Sequence, residues 1–82
     1  MNNISAPTIG EILNKEFIKP LNVSISEVAK EIDIPNSIIQ DILRDRRKIT
    51  IGTSIKLGRL FGVSNRYFLN IQNNIDSRNI KQ

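Results

Sequence analysis

The sequence predicts an all-α protein, a compact bundle of five short helices. Apolar residues recur at three- and four-residue spacing in five separate stretches. Capping side chains, prolines and a glycine fall between those stretches, where helices start and stop. No stretch shows a convincing two-residue alternation, the mark of a half-buried strand.

The elements follow in order. Residues 1–7 read as a loose lead-in. The first helix is expected from about Thr8 to Ile18. Thr8 and Glu11 have the spacing of a capping box, in which each side chain satisfies the other's free backbone amide. Ile9, Ile12, Leu13 and Phe17 share one face, and Pro20 is expected to end the helix. Ser24 and Glu27 repeat the capping box for a second helix, with Ile25, Val28, Ala29 and Ile32 as its buried stripe. Ala29 is small where two helices would cross closely. Asp33 stands where the backbone wants a left-handed residue, a conformation that aspartate tolerates.

Pro35 suits the first turn of a third helix running to about Leu43. There Ile39, Ile42 and Leu43 point inward, Asn36, Ser37, Gln40, Asp41 and Arg44 point outward, and Ile38 lies off the inward stripe. Residues 45–49 form a loop. Thr50 or Thr53 caps a fourth helix carrying Ile55, Leu57, Leu60 and Phe61, which Gly62 closes. Ser64 is expected to cap a fifth helix with Phe68, Leu69 and Ile71. Residues 74–82 either extend that helix or fray.

Eighty-two residues without a repeat or linker read as a single domain, 1–82. The chain has no cysteine and no histidine, so a disulfide framework, a thiolate site, and the usual catalytic triad or zinc site lack their ordinary members. No cofactor is expected. No apolar run approaches a membrane span, and the N-terminus does not resemble a signal peptide, which fits a cytoplasmic protein. Glu27 and Glu31 lie one turn apart, yet on an exposed face beside Lys30 they read as ordinary surface rather than a catalytic carboxylate pair.

Charge is distributed unevenly. Residues 1–43 carry three basic against six acidic residues, a net of −3; residues 44–82 carry nine against two, a net of +7. A clustered positive region on a small domain points to a polyanion. The cluster Arg44, Arg46, Arg47 and Lys48 follows two short helices joined by a tight turn. That is the sequence form of a helix-turn-helix, in which one helix braces the unit on DNA and the next lies in the major groove. Asn36 and Gln40 can bond base edges, most naturally adenine; Ser37 reaches base or phosphate; Ile38 either touches a thymine methyl or belongs to a subunit interface. Asn36 and Ser37 also read as helix-start residues. Arg44, Arg46, Arg47 and Lys48 suit phosphates, as do the free amides near Ser24 and Ser26. Asp41 would repel phosphate and reads as a structural or ion-pairing residue.

Beyond these features, Gly10-Glu11-Ile12-Leu13, Glu16-Phe17, Pro20-Leu21, Ile49-Thr50, Leu60-Phe61-Gly62 and Tyr67-Phe68-Leu69-Asn70-Ile71-Gln72 together resemble the HigA-type antitoxins. These are a branch of the phage-repressor-like (Xre) helix-turn-helix proteins, and the resemblance covers residues 7 to about 78. It implies a homodimer on a palindromic operator in its own promoter, acting as a repressor, and a RelE-like ribonuclease toxin as protein partner. Tyr67, Phe68 and Ile71 are then a dimer surface, against the plain alternative of core packing. Some positions depart from the family pattern. Thr8-Ile9 replace a His-Pro, Ile25 replaces a phosphate-touching glutamine, Asn36 and Ile38 stand where arginine is frequent, and Asp33 and Asp45 stand where glycine is usual.

Overall fold

The computed structural model describes residues 7–80, with side chains to residue 77. The expected lead-in, Pro7 apart, lies outside the described residues, as do residues 81–82 of the tail. The described residues form five helices and no strand. Helix α1 covers residues 9–21 in three pieces: α-helical Ile9–Leu13, a π turn Asn14–Ile18, and a last α-helical turn Lys19–Leu21. Then come α2 (Ile25–Ile32), α3 (Asn36–Leu43), α4 (Ile51–Phe61) and α5 (Tyr67–Ile80).

The first helix does not stop before Pro20. It carries the proline and ends at Leu21. A proline in a regular helix loses an amide bond and crowds the carbonyl four residues back. The wider π turn just before it, where the Lys19 amide donates to the Asn14 carbonyl, accommodates the ring. The same turn carries Phe17, whose ring packs 5.0 Å from Phe68, 5.2 Å from Phe61 and 5.8 Å from Tyr67, tying α1 to α4 and α5.

Both capping boxes form. Thr8 Oγ1 accepts from the Glu11 amide at 3.1 Å while Glu11 Oε1 accepts from the Thr8 amide at 2.9 Å. Ser24 and Glu27 do the same at 3.0 and 2.8 Å. Thr50, not Thr53, caps α4. Pro35 sits one residue before α3, at its N-cap.

Four helices end on a left-handed residue: Asn22, Asp33, Asp45 and Gly62, with φ of 56°, 57°, 61° and 76°. After each, the next amide reaches the carbonyl five residues back: Val23 to Ile18, Ile34 to Ala29, Arg46 to Asp41 and Val63 to Gly58. This is the Schellman arrangement, which satisfies the last carbonyls of a helix.

The core gathers Ile9, Leu13 and Ile18 of α1, Val28, Ala29 and Ile32 of α2, Ile39 and Ile42 of α3, Ile49, Leu57 of α4 and Phe68 of α5. Leu43, Ile55, Leu60 and Phe61, expected inward, are half-buried. Ile38, read as lying off the inward stripe, is also half-buried and packs against the core. Its position on α3 lies about 100° from Ile39, near the edge of the buried face rather than opposite it.

Two contacts fix α3 and α5. The bare Cα of Gly10 lies against the carbonyls of Ile42 and Leu43, so that α1 meets the end of α3 where a methyl group would not fit. The fifth helix starts at Tyr67 rather than at a Ser64 cap. Its free Leu69 amide is taken by the fully buried Ser54 of α4, at 3.1 Å, and that hydroxyl donates to the Asn65 carbonyl at 2.8 Å. The cap is thus supplied from a neighbouring helix, and α5 continues to Ile80.

Candidate nucleic-acid interface

The turn between α2 and α3 brings Ser26 beside Asn36. Asn36 Nδ2 donates to Ser26 Oγ at 2.8 Å, and Gln40 Nε2 donates to Asn36 Oδ1 at 3.2 Å. Three side chains expected to act separately therefore form one hydrogen-bonded string across the two helices. Ser37 and Arg44 are exposed on the outward face of α3, with Gln40 and Asp41 half-buried at its flanks.

The string leaves a defined set of free groups. A carboxamide has two donor hydrogens and a carbonyl acceptor. Gln40 spends one hydrogen on Asn36 and keeps one donor and its acceptor. Asn36 spends one hydrogen and accepts one bond, and keeps one donor. Ser24 and Ser26 each accept a bond inside the protein, from the Glu27 amide and Asn36. Both hydroxyl hydrogens stay free for an acceptor outside.

After α3 the chain turns through Asp45. That residue holds the left-handed conformation and also sends its carboxylate to the Gly10 amide, Oδ1 accepting at 3.0 Å. An unpaired amide at the start of α1 is satisfied, and the negative charge sits at the positive end of that helix. Arg46 follows and is exposed. Arg47 lies 3.9 Å from Asp41, both half-exposed, a geometry that contributes little to stability. This bears out Asp41 as an ion-pairing residue.

Lys48 departs from the expected set. Its Nζ lies 2.6 Å from Asp76 Oδ1 on α5, and Gln72 Nε2 donates to the same oxygen at 3.2 Å. The Lys48 hydrogen bond, reinforced by Gln72 and by the lysine's charge, holds the Asp76 carboxyl below the usual carboxylate range against the opposing effect of burial. Thr8, Asp45, Arg46, Arg47, Lys48 and Asp76 line one cleft of about 260 Å³ between the loop and the C-terminal helix.

The aromatic residues of α5 divide. Phe68 is fully buried and belongs to the core, which corrects its expected place on a surface. Ile71 is half-buried against the core. Tyr67, 38% exposed, packs edge-on against Phe68 and keeps one side open. The sequence reading missed Ser54 and the Asp76–Gln72 pair. A lone serine in an apolar helix and a carboxylate 28 residues from its lysine carry no local signal. No helix among the described residues is long and apolar enough to cross a membrane, and no described His/Cys/Asp/Glu group could hold a metal.

A polar helix held to its predecessor across a tight turn, followed by a cationic loop, is the form of a helix-turn-helix DNA-binding protein. A helix-turn-helix family model (HTH_3) matches residues 15–68, and the chain belongs to that family. These are DNA-binding proteins rather than enzymes. Virulence-associated protein I of Dichelobacter nodosus is 36% identical over 81 residues, covering 99% of this chain and 75% of that protein. An uncharacterized HTH-type transcriptional regulator of Haemophilus influenzae is 33% identical over 69 residues, 84% of this chain, which spans 64% of that regulator's length. Among solved structures, the Pseudomonas aeruginosa antitoxin HigA with the higBA promoter is 31% identical with a TM-score of 0.78, over 82% of this chain and 73% of that one. The chain thus has the antitoxin-like helix-turn-helix fold that its sequence resembles.

Proposed function

We propose that this protein is a sequence-specific DNA-binding antitoxin that represses its own operon and neutralises a RelE-like ribonuclease toxin. The observation that carries the DNA-binding part is the Ser26–Asn36–Gln40 string on the open side of α3. Side chains already bonded to one another lose little freedom on meeting a base, so their contacts keep more of their free energy. In this reading Gln40 is the principal base reader, because its free donor and acceptor match adenine bidentately. Asn36 braces it and offers one further donor, and Ser37 reaches the neighbouring base or phosphate. Ile38 shows the DNA only the edge that the core leaves open.

Arg44, Arg46 and Arg47 take phosphates on one side, and the hydroxyls of Ser24 and Ser26 at the start of α2 take them on the other. These contacts set register and salt sensitivity without reading sequence. A cytoplasmic homodimer would set two α3 helices about 34 Å apart on a palindromic operator. Of Tyr67, Phe68 and Ile71, Tyr67 is the exposed one and offers open surface for that contact. The antitoxin part rests on the resemblance and on the HigA structure with its promoter. The runner-up is a regulator without a toxin, favoured by the relative described only as a transcriptional regulator. A small basic protein encoded beside this one, co-purifying with it, selects the antitoxin.

The test of the DNA reading compares variants on operator and random duplexes. Gln40→Ala loses about 1–3 kcal/mol on the operator and little on random DNA. Arg46→Ala and Arg47→Ala weaken both equally and each lower the salt slope by about 0.9. Equal losses for Gln40→Ala on both duplexes remove it from base readout.

A further inference from the structure

We infer that Asp76 sets the affinity of the DNA interface by withholding Lys48 from it. The inference rests on the DNA-binding reading and adds a residue outside the helix-turn-helix. Four basic residues stand in one run, Arg44, Arg46, Arg47 and Lys48, and three of them have no close anionic partner or only a long one. Arg44 and Arg46 are exposed without an ion pair among the described residues, and Arg47 lies 3.9 Å from Asp41. Lys48 alone is held at direct hydrogen-bond distance, 2.6 Å, by a carboxylate.

That carboxylate is itself fixed. Gln72, 94% buried by the packing of α5, donates to the oxygen that Lys48 uses, at 3.2 Å. Asp76 therefore does not swing freely with solvent. Its charge is pinned at the wall of the cleft that Arg46 and Arg47 also line. A phosphate approaching this loop meets three available cations and one, its side chain 70% exposed, that is already paired with a carboxylate. To recruit Lys48 it must compete with a carboxylate at closer range and fixed geometry.

A small interface has reason to run below its full charge. Each lysine or arginine placed on a phosphate raises affinity for every sequence alike, because the gain comes from released counterions. The base contacts of Asn36 and Gln40 are unchanged by it. Holding one cation back lowers non-specific binding along with specific binding, and keeps the protein from spreading over random DNA. The holding residue lies on α5, so the loop facing the DNA is electrostatically tied to a helix outside the motif.

The test is a double-mutant cycle in the full chain, read by anisotropy on operator and random duplexes across about 50–200 mM salt. Asp76→Asn is expected to bind both duplexes roughly three- to tenfold more tightly at the low-salt end and to steepen the salt slope by about 0.9. Its advantage over wild type then shrinks about 3.5-fold across that fourfold salt range. Lys48→Gln alone is expected to leave the slope nearly unchanged, because that charge is already spoken for. Asp76→Asn in the Lys48→Gln background is expected to lose the gain. Circular dichroism melts of the same variants check that each is folded, and Asp76→Glu, which keeps the charge, should stay near wild type in slope.

If Asp76→Asn keeps the wild-type slope, Asp76 does not withhold Lys48, and the DNA reading stands. If Asp76→Asn steepens the slope as much without Lys48, the effect does not run through that lysine, and the inference fails. If wild type and Asp76→Asn both fail to bind any duplex, the DNA reading fails and takes the inference with it.

Discussion

Helices α2 and α3 end on the same backbone device and put it to opposite uses. Each closes on a left-handed aspartate, Asp33 or Asp45, and each next amide reaches five residues back, Ile34 to Ala29 at 3.0 Å and Arg46 to Asp41 at 2.8 Å. After α2 the next side chain is Ile34, which packs on the core; Val23 and Val63 do the same after α1 and α4. An apolar contact at that place is the usual companion of the motif. After α3 the residue is Arg46, and it faces solvent. Of these four helix ends, the one that declines to feed the core opens the cationic loop. The two aspartates differ likewise. Asp33 is exposed and its side chain makes no hydrogen bond among the described residues, whereas Asp45 caps the Gly10 amide and locks the end of α3 to α1.

Five substitutions sharpen or break this contrast. The largest effect is expected from Gly10→Ala. Its methyl group would meet the Leu43 carbonyl, and backbone cannot give way as a flexible side chain can. The gain of about 0.5–1 kcal/mol from replacing a helical glycine is outweighed by an overpacking cost of about 1–3 kcal/mol or more. Urea denaturation should show a clear net loss; a stabilised variant would mean α1 and α3 are not so closely seated.

Asp45→Gly comes next. It relieves the left-handed backbone but leaves the Gly10 amide unpaired, and loses about 1 kcal/mol on balance. Asp33→Gly has only the relief and should gain about 0.5 kcal/mol. Opposite signs in parallel urea melts support the division of labour, while equal signs would show that the Asp45 carboxylate contributes nothing. Arg46→Ala is expected to move stability by less than about 0.5 kcal/mol, in contrast to the loss of DNA affinity proposed for it; a large loss in the same melt would make Arg46 a structural residue.

The smallest effect concerns pH. The folded Asp76 carboxyl lies below its ordinary value because of Lys48 first, then Gln72. A depressed carboxylate contributes stability above its unfolded pKa of about 3.9, and loses it as pH falls through the folded value. Asp76→Asn should therefore remove a small stabilisation at neutral pH and flatten the acid limb, so that the two proteins converge below about pH 4. Identical acid limbs in the two proteins would contradict the pairing.

This pattern also explains what could be read in the sequence. The capping boxes of Thr8–Glu11 and Ser24–Glu27, the left-handed Asp33 and the outward set Ser37, Gln40 and Arg44 are local, and spacing along the chain reveals them. The π turn at Asn14–Ile18 is a compromise around Pro20 that single-residue propensities do not express. Ser54 capping α5, Asp45 capping α1 and Asp76 holding Lys48 join residues 15, 35 and 28 apart in sequence. Only the folded packing brings those together. Phe68 stayed undecided for a related reason: an aromatic at helical spacing looks the same whether it faces a core or a partner.

The central claim is that the open face of α3 reads DNA sequence. The most direct measurement is an anisotropy titration of the full chain against the DNA upstream of its own coding region and against a scrambled duplex, near 150 mM salt. A clear preference for the upstream duplex is the predicted result, at least tenfold and lost in Gln40→Ala, since each good bidentate contact discriminates by about 1–3 kcal/mol. Equal, weak binding to both duplexes would contradict it, and would leave the Ser26–Asn36–Gln40 string as a structural feature of the turn.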